Sequence, residues 1–117
     1  MKTIIQNMDM TRGDTFSGFE FGIENDAGET LQLDAAYFSC KADPDDTEYI
    51  FQKSIGSGIT RGSDGMYRLK VPASDTDGVN LGRYYYDLEI TLQGDTFTPM
   101  KGRLNLTWDV TRGSEES

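Results

Sequence analysis

Asp87 and Glu89 are the residues whose types and spacing come nearest to a catalytic pair. On an extended strand they share a face at about 7 Å, close to the separation at which two carboxylates flank a glycosidic bond in an inverting hydrolase. That chemistry needs one carboxyl kept protonated by burial. Here both belong to the polar face of a strand, where neither is expected to be desolvated. The chain holds no histidine, which removes the Ser-His-Asp and Cys-His mechanisms and the commonest metal ligand. Cys40 is the lone cysteine, so neither an intrachain disulfide nor a thiolate zinc cluster can form. It reads as a small buried hydrophobe, and it fits assembly in a reducing cytoplasm. There is no Gly-rich phosphate loop, nucleophile elbow or cofactor motif. The expectation is a non-enzymatic protein with no cofactor and no catalytic or metal site.

Two further motifs carry less than their spelling suggests. Arg12-Gly13-Asp14 spells an integrin-binding tripeptide, but three letters arise often by chance, and a turn leading into a strand at Thr15 explains them. Asp75, Asp77 and Asn80 resemble part of a calcium loop. Counted from Asp75, however, the glycine at 78 comes two positions early, and Tyr86 stands where a bidentate glutamate belongs. Asp43, Asp45, Asp46 and Glu48 form an acidic cluster without ligand spacing. Both read as solvated turns.

The elements that would position these residues are strands, because alternation with a period of two recurs and helical periodicity is nearly absent. The clearest strand runs from Gly82 to Leu92. Tyr84, Tyr86, Leu88, Ile90 and Leu92 lie on one side, and Tyr85, Asp87, Glu89 and Thr91 on the other. Leu104, Leu106, Trp108 and Val110 repeat the pattern, as do Tyr67, Leu69 and Val71, and also Phe19, Phe21 and Ile23. Phe16 has the opposite parity, which a bulge at Ser17-Gly18 repairs. Thr3 to Met8 reads as a short edge strand. The stretch from Leu31 to Lys41 needs a kink near Asp34, with Phe38 and Cys40 inward. Tyr49 to Lys53 reads as a strand whose inner face is undetermined. Asn25 to Gly28, Ala42 to Asp46, Ser63 to Gly65 and Gln93 to Asp95 are turns. Pro72 to Gly78 is too long for a hairpin and is expected to cross between sheets. About seven strands in antiparallel pairing with Greek-key connections describe an all-β, immunoglobulin-like β-sandwich. Tyr84, opening a central strand after Asn80-Leu81-Gly82, fits a tyrosine corner, its hydroxyl turned back to upstream backbone. Tyr84, Tyr86, Leu88 and Trp108 are the expected core. Tyr85, Asp87 and Glu89 are the expected interface, since an outward tyrosine on a polar strand suits a contact surface.

Composition bounds the partners. The chain has 117 residues, 36% hydrophobic and 11% aromatic, enough for one domain with a core. Residues 1–112 are read as that domain and 113–117 as a disordered acidic tail. Against 20 Asp and Glu stand 11 Lys and Arg, a formal charge of −9. Such a surface repels phosphates and anionic lipid, so neither nucleic acid nor membrane is an expected partner. The first residues lack the apolar run of a signal peptide. A carbohydrate-binding or adhesive sandwich is the alternative reading, since it accounts for the tyrosines and acidic loops.

Several phrases narrow this further. Met10-Thr11-Arg12-Gly13-Asp14-Thr15-Phe16, Phe51-Gln52-Lys53-Ser54-Ile55-Gly56-Ser57-Gly58-Ile59 and Gly82-Arg83-Tyr84-Tyr85-Tyr86-Asp87-Leu88-Glu89-Ile90 resemble the N-terminal domain of phage baseplate upper proteins. Asp95-Thr96-Phe97-Thr98-Pro99-Met100-Lys101-Gly102-Arg103-Leu104 and Asp109-Val110-Thr111 are similar to the same prophage proteins of Gram-positive bacteria. The likeness spans about residues 10 to 111. It implies an immunoglobulin-like virion structural protein, made in the bacterial cytoplasm, that docks into a tail or baseplate. Its implied partners are other phage tail and baseplate proteins, and it implies self-association, because such components form rings or trimers. Longer members continue into a helical linker and distal region that hold receptor-binding proteins. With the chain ending at Ser117, an assembly or adaptor role is expected.

Overall fold

The structure, a computed structural model, describes residues 4–5 and 8–108. It is all-β: nine strands and one 3-10 turn, with no α-helix among the described residues. The strands are β1 (Ile4–Ile5), β2 (Met8–Thr11), β3 (Phe16–Phe21), β4 (Ala35–Lys41), β5 (Phe51–Ile55), β6 (Gly58–Arg61), β7 (Tyr67–Val71), β8 (Gly82–Leu92) and β9 (Asp95–Thr107). Hydrogen bonding links them in the order β1-β9-β8-β4-β5-β6-β7-β3, with β2 also on β9. Where two separate sheets were expected, the ladder runs through as one sheet, curled into a nearly closed, barrel-like shape.

The continuity is made at one bend. Between β5 and β6 only two residues intervene, and the strands pair in parallel, Ser54 with Gly58 and Ile55 with Ile59. Gly56 and Gly58 have φ of 88° and 98° there, a region that side-chain-bearing residues avoid. A Cβ on Gly58 would also fall 2.5 Å from Lys53 Cδ. Lys53, cross-strand from Phe38, lies on the inner side and ends in an ion pair with Asp75 of the 3-10 turn, which is the partner of that carboxylate's buried oxygen. This pins the Pro72–Asn80 crossover against the sheet.

The core lies inside the curl. Phe38 is fully buried, with Tyr86, Phe51 and Phe19 ring centroids 5.3, 6.1 and 6.1 Å away. Phe19 comes from β3, at the far end of the hydrogen-bonded path, so this contact joins the two arms of the sheet across the interior. Tyr67 is buried too, and its hydroxyl accepts the Leu33 amide at 2.9 Å. Cys40 is 1% exposed, and burial pushes its thiol up to about 12, so it is inert at neutral pH. Tyr84, Tyr86, Leu88 and Ile90 of β8 all face inward. The Tyr84 hydroxyl donates to the Asn80 carbonyl four residues upstream, the contact that defines a tyrosine corner.

Trp108 departs from the expected core: it is 61% exposed. Alternation carries Leu104 and Leu106 inward, but β8 begins at Gly82 opposite Leu106 and β2 ends at Thr11 opposite Thr107. Beyond Thr107 no flanking strand remains, among the described residues, to form a wall against the indole. Val110 and the expected tail at 113–117 lie outside the described residues. The bulge expected at Ser17-Gly18 is present, with the β3–β7 register shifting between Phe16 and Phe19.

Replacing Phe38 by Ala is expected to cost about 3–5 kcal/mol, the range for deleting a large buried aromatic. Trp108→Ala should stay within about 0.5 kcal/mol of the parent, as surface substitutions do. Urea denaturation of both variants checks the pair.

Candidate interaction face

The residues with chemical character gather on the outer face of β9-β8-β4-β5. Because cross-strand partners share a face, the register orders this surface in rows. Tyr85 stands between Lys41 and Arg103, Asp87 between Ser39 and Lys101, and Glu89 beside Tyr37. On its other side Glu89 meets the β8–β9 irregularity between Leu88 and Ile90. The expected interface residues Tyr85, Asp87 and Glu89 are thus together on one face. Tyr84, Tyr86 and Leu88 alternate with them into the interior.

Three exposed tyrosines mark this side. Tyr85 is 37% exposed, Tyr37 39% and Tyr49 47%. Tyr49 follows the Asp43–Asp46 turn, and the Lys41 ammonium sits 5.1 Å from its ring centroid, a cation–π contact. The Gln52 amide donates to Ser39 Oγ at 3.0 Å. Two shallow depressions flank Asp87. One, of about 550 Å³, is bordered by Lys41, Pro44, Tyr85, Lys101 and Arg103. The other, of about 300 Å³, is bordered by Tyr37, Tyr49, Gln52 and Glu89. Sequence reasoning named Tyr85 but missed Tyr37 and Tyr49. The parity that put Phe38 and Cys40 inward already pointed Tyr37 outward.

Asp87 corrects the expectation that both carboxylates stay solvated. It is half-buried, and burial raises its pKa above the ordinary aspartate value, while the Lys41 and Lys101 charges pull it back down. The neighbours are lateral: Ser39 of β4 and Lys101 of β9 flank Asp87 across the strands, which a single-strand pattern does not reveal. Asp87 and Glu89 sit side by side on the same strand face, and both border the smaller depression.

The other motifs have structural roles. Arg12 Nη1 donates to the Val79 carbonyl at 3.1 Å, and the buried Gly13 amide donates to Thr76 Oγ1 at 2.9 Å. The tripeptide thereby ties the β2–β3 connection to the crossover. Gly13 has φ of 79°, which a glycine accommodates without strain. Asp43 Oδ1 accepts the Asp45 amide at 2.9 Å, and the Asp46 amide donates to the Asp43 carbonyl, closing a turn. Among the described residues, no three Cys, Asp or Glu side chains converge as a metal site. No helix among them is long and apolar enough to cross a membrane.

No protein-family model and no curated protein matches the chain. Among solved structures it is similar to the crystal structure of a DUF4784 family protein from Bacteroides caccae ATCC 43185, at 12% identity and a TM-score of 0.40. The match covers 86% of this chain and 22% of that one.

Since the folded pKa of Asp87 lies above its unfolded value, the charged form is disfavoured by folding. That cost is absent below the unfolded pKa, where both states are protonated, and complete above the folded one. Asp87→Asn should therefore raise the melting midpoint at pH 7. The gain should vanish as the pH falls below 3.8, the ordinary aspartate value. Thermal melts of both proteins across that range check the sign.

Proposed function

We propose that this chain is a non-enzymatic, immunoglobulin-like interaction module of a phage tail or baseplate, docking through the outer face of β9-β8-β4-β5. One observation carries the reading. Three tyrosines are exposed on or beside a single sheet face, interleaved with Lys41, Lys101, Arg103, Asp87 and Glu89. Tyrosines that combine an apolar body with a polar tip, set among charges that fix register, are the makings of a protein contact surface.

The immunoglobulin-like reading draws support from connectivity. Taken apart at the β5–β6 bend, the strand order reads β9-β8-β4-β5, with β1 and β2 both on β9, and β6-β7-β3, a grouping that fits the two sheets of a Greek-key sandwich with an extra strand at one edge. Tyr84 adds the corner at the start of β8, which has the place of the sixth strand in such domains. The virion role rests on the resemblance between residues 10 and 111. The local balance of the face also suits docking: its cations outnumber its carboxylates, although the chain as a whole carries −9. A partner therefore need not be strongly basic to approach it.

The test is sedimentation of the chain with the tail and baseplate proteins encoded beside it. The parent should co-sediment with one of them, and Tyr85→Ala should weaken the complex about tenfold or more, as loss of a central interface tyrosine does. Binding that is indifferent to Tyr85, or specific glycan binding on an array with or without calcium, would contradict the proposal.

A further inference from the structure

The two depressions beside Asp87 differ in charge. The larger is bordered by Lys41, Lys101 and Arg103 against Asp87 alone. The smaller is bordered by Asp87 and Glu89 against Lys41 alone, with Tyr37 and Tyr49 as aromatic walls. Strand register fixes this arrangement. Tyr37 lies directly cross-strand from Glu89, and Ser39 lies between Asp87 and Gln52. Ser39 is nearly buried and hydrogen-bonded to Gln52, so the two form a polar floor. Asp87 and Glu89 stand two residues apart on β8, about 7 Å, and neither makes an ion pair among the described residues. A cation is already seated at one end, where the Lys41 ammonium lies against the Tyr49 ring. The exposed turn before Tyr49 adds Asp43, Asp45, Asp46 and Glu48, so the surroundings of this depression are acidic, on a chain of charge −9.

We propose that the smaller depression is a pocket for an arginine side chain presented by the docking partner. The proposal rests on the docking role assigned to this face above and names the chemistry the face recognises. A guanidinium is planar, stacks on tyrosine rings and donates in a fixed fork to carboxylates. The depression offers both kinds of group together: Tyr37 and Glu89, as cross-strand partners, hold their Cβ atoms about 5 Å apart, so a ring and a carboxylate reach the same cation. A lysine ammonium would supply the charge but neither the planar stack nor the fork. At about 300 Å³ the depression is at the low end of ligand clefts, a size for one side chain rather than a whole small molecule. Burial holds the Asp87 pKa above its ordinary value, and a cation entering beside it offsets that desolvation. Lys41 occupies the Tyr49 end and so competes with the incoming group for that ring.

The probe is N-acetyl-arginine amide, titrated into the full chain and followed through the backbone amide resonances by NMR. The Tyr37, Ser39 and Glu89 amides should shift saturably. The neutral citrulline isostere should shift none of them, and N-acetyl-lysine amide should bind more weakly than the arginine compound. Glu89→Gln should weaken arginine binding about threefold, within the range of an exposed ion pair. Tyr37→Leu should weaken it about twofold or more, for the lost stack, and Lys41→Gln should strengthen it. Glu24→Gln removes the same charge from the chain just beyond β3 and should leave binding unchanged, which separates the pocket from general attraction to an acidic protein. Each substituted side chain is at least partly exposed, and circular dichroism melts establish that the variants are folded. Shifts that do not saturate, an equal response to citrulline or lysine, or a loss in Glu24→Gln as large as in Glu89→Gln would overturn the proposal. Excess N-acetyl-arginine amide should also release the tail protein that co-sediments with the parent. A tail complex that needs Tyr85 but ignores both Glu89→Gln and the probe would overturn the pocket and leave the docking role intact. Saturable arginine binding by a chain that co-sediments with no tail protein would keep the pocket and remove the docking role.

Discussion

The burial of Phe38 against Phe19, Tyr86 and Phe51 is the interaction on which the rest depends. The hydrogen-bonded ladder specifies neighbours along the sheet, but it does not force that sheet to close. Closure comes from the apolar interior, where a ring from β4 meets a ring from β3, its partner strand at the far end of the ladder. With those rings packed, β4 and β8 are held in one register, Phe38 beside Leu88 and Cys40 beside Tyr86. That register decides which residues stand together outside. A slip of one residue would exchange Tyr85 for Tyr86 and turn the polar face inward.

The polar ties are secondary and sit where apolar packing ends. Lys53 with Asp75 and the Gly13 amide with Thr76 both fasten the crossover to the rim of the curl. Exposed pairs such as Arg68 with Asp64 lower the carboxyl pKa through their hydrogen bond, yet at the surface they add little to stability. The outer face is therefore a platform supported from beneath. Its tyrosines and charges are displayed by strands whose other sides are buried in the core.

Much of this was legible in the residue pattern, and what was missed has identifiable causes. Strict alternation from Gly82 to Leu92 and from Tyr67 to Val71 matches strands with those bounds, because one side of each is buried and the other wet. The parity break at Phe16 correctly located a bulge, and Tyr84 donates to backbone just upstream of its strand. β6 escaped notice because Gly58-Ile59-Thr60-Arg61 has a single buried apolar side chain and no alternation to detect. Trp108 continues its strand's pattern in sequence while the strands that should flank it have stopped. The half-burial of Asp87 and the grouping of Tyr37, Tyr49 and Tyr85 depend on lateral neighbours. Those are set by pairing between strands distant in sequence, which alternation within one strand does not encode.

The central claim is that the fold sorts the six tyrosines of this chain into three that are buried, Tyr67, Tyr84 and Tyr86, and three that stand exposed on or beside the outer face, Tyr37, Tyr49 and Tyr85. Residue-resolved tyrosine nitration, read by mass spectrometry on dilute and on assembled protein, tests it most directly. Tyr37, Tyr49 and Tyr85 should react in the dilute chain while Tyr67, Tyr84 and Tyr86 resist, and Tyr37 and Tyr85 should become protected on assembly. Reaction of Tyr84 or Tyr86 as fast as Tyr85, or assembly that leaves Tyr37 and Tyr85 as reactive as before, would contradict it.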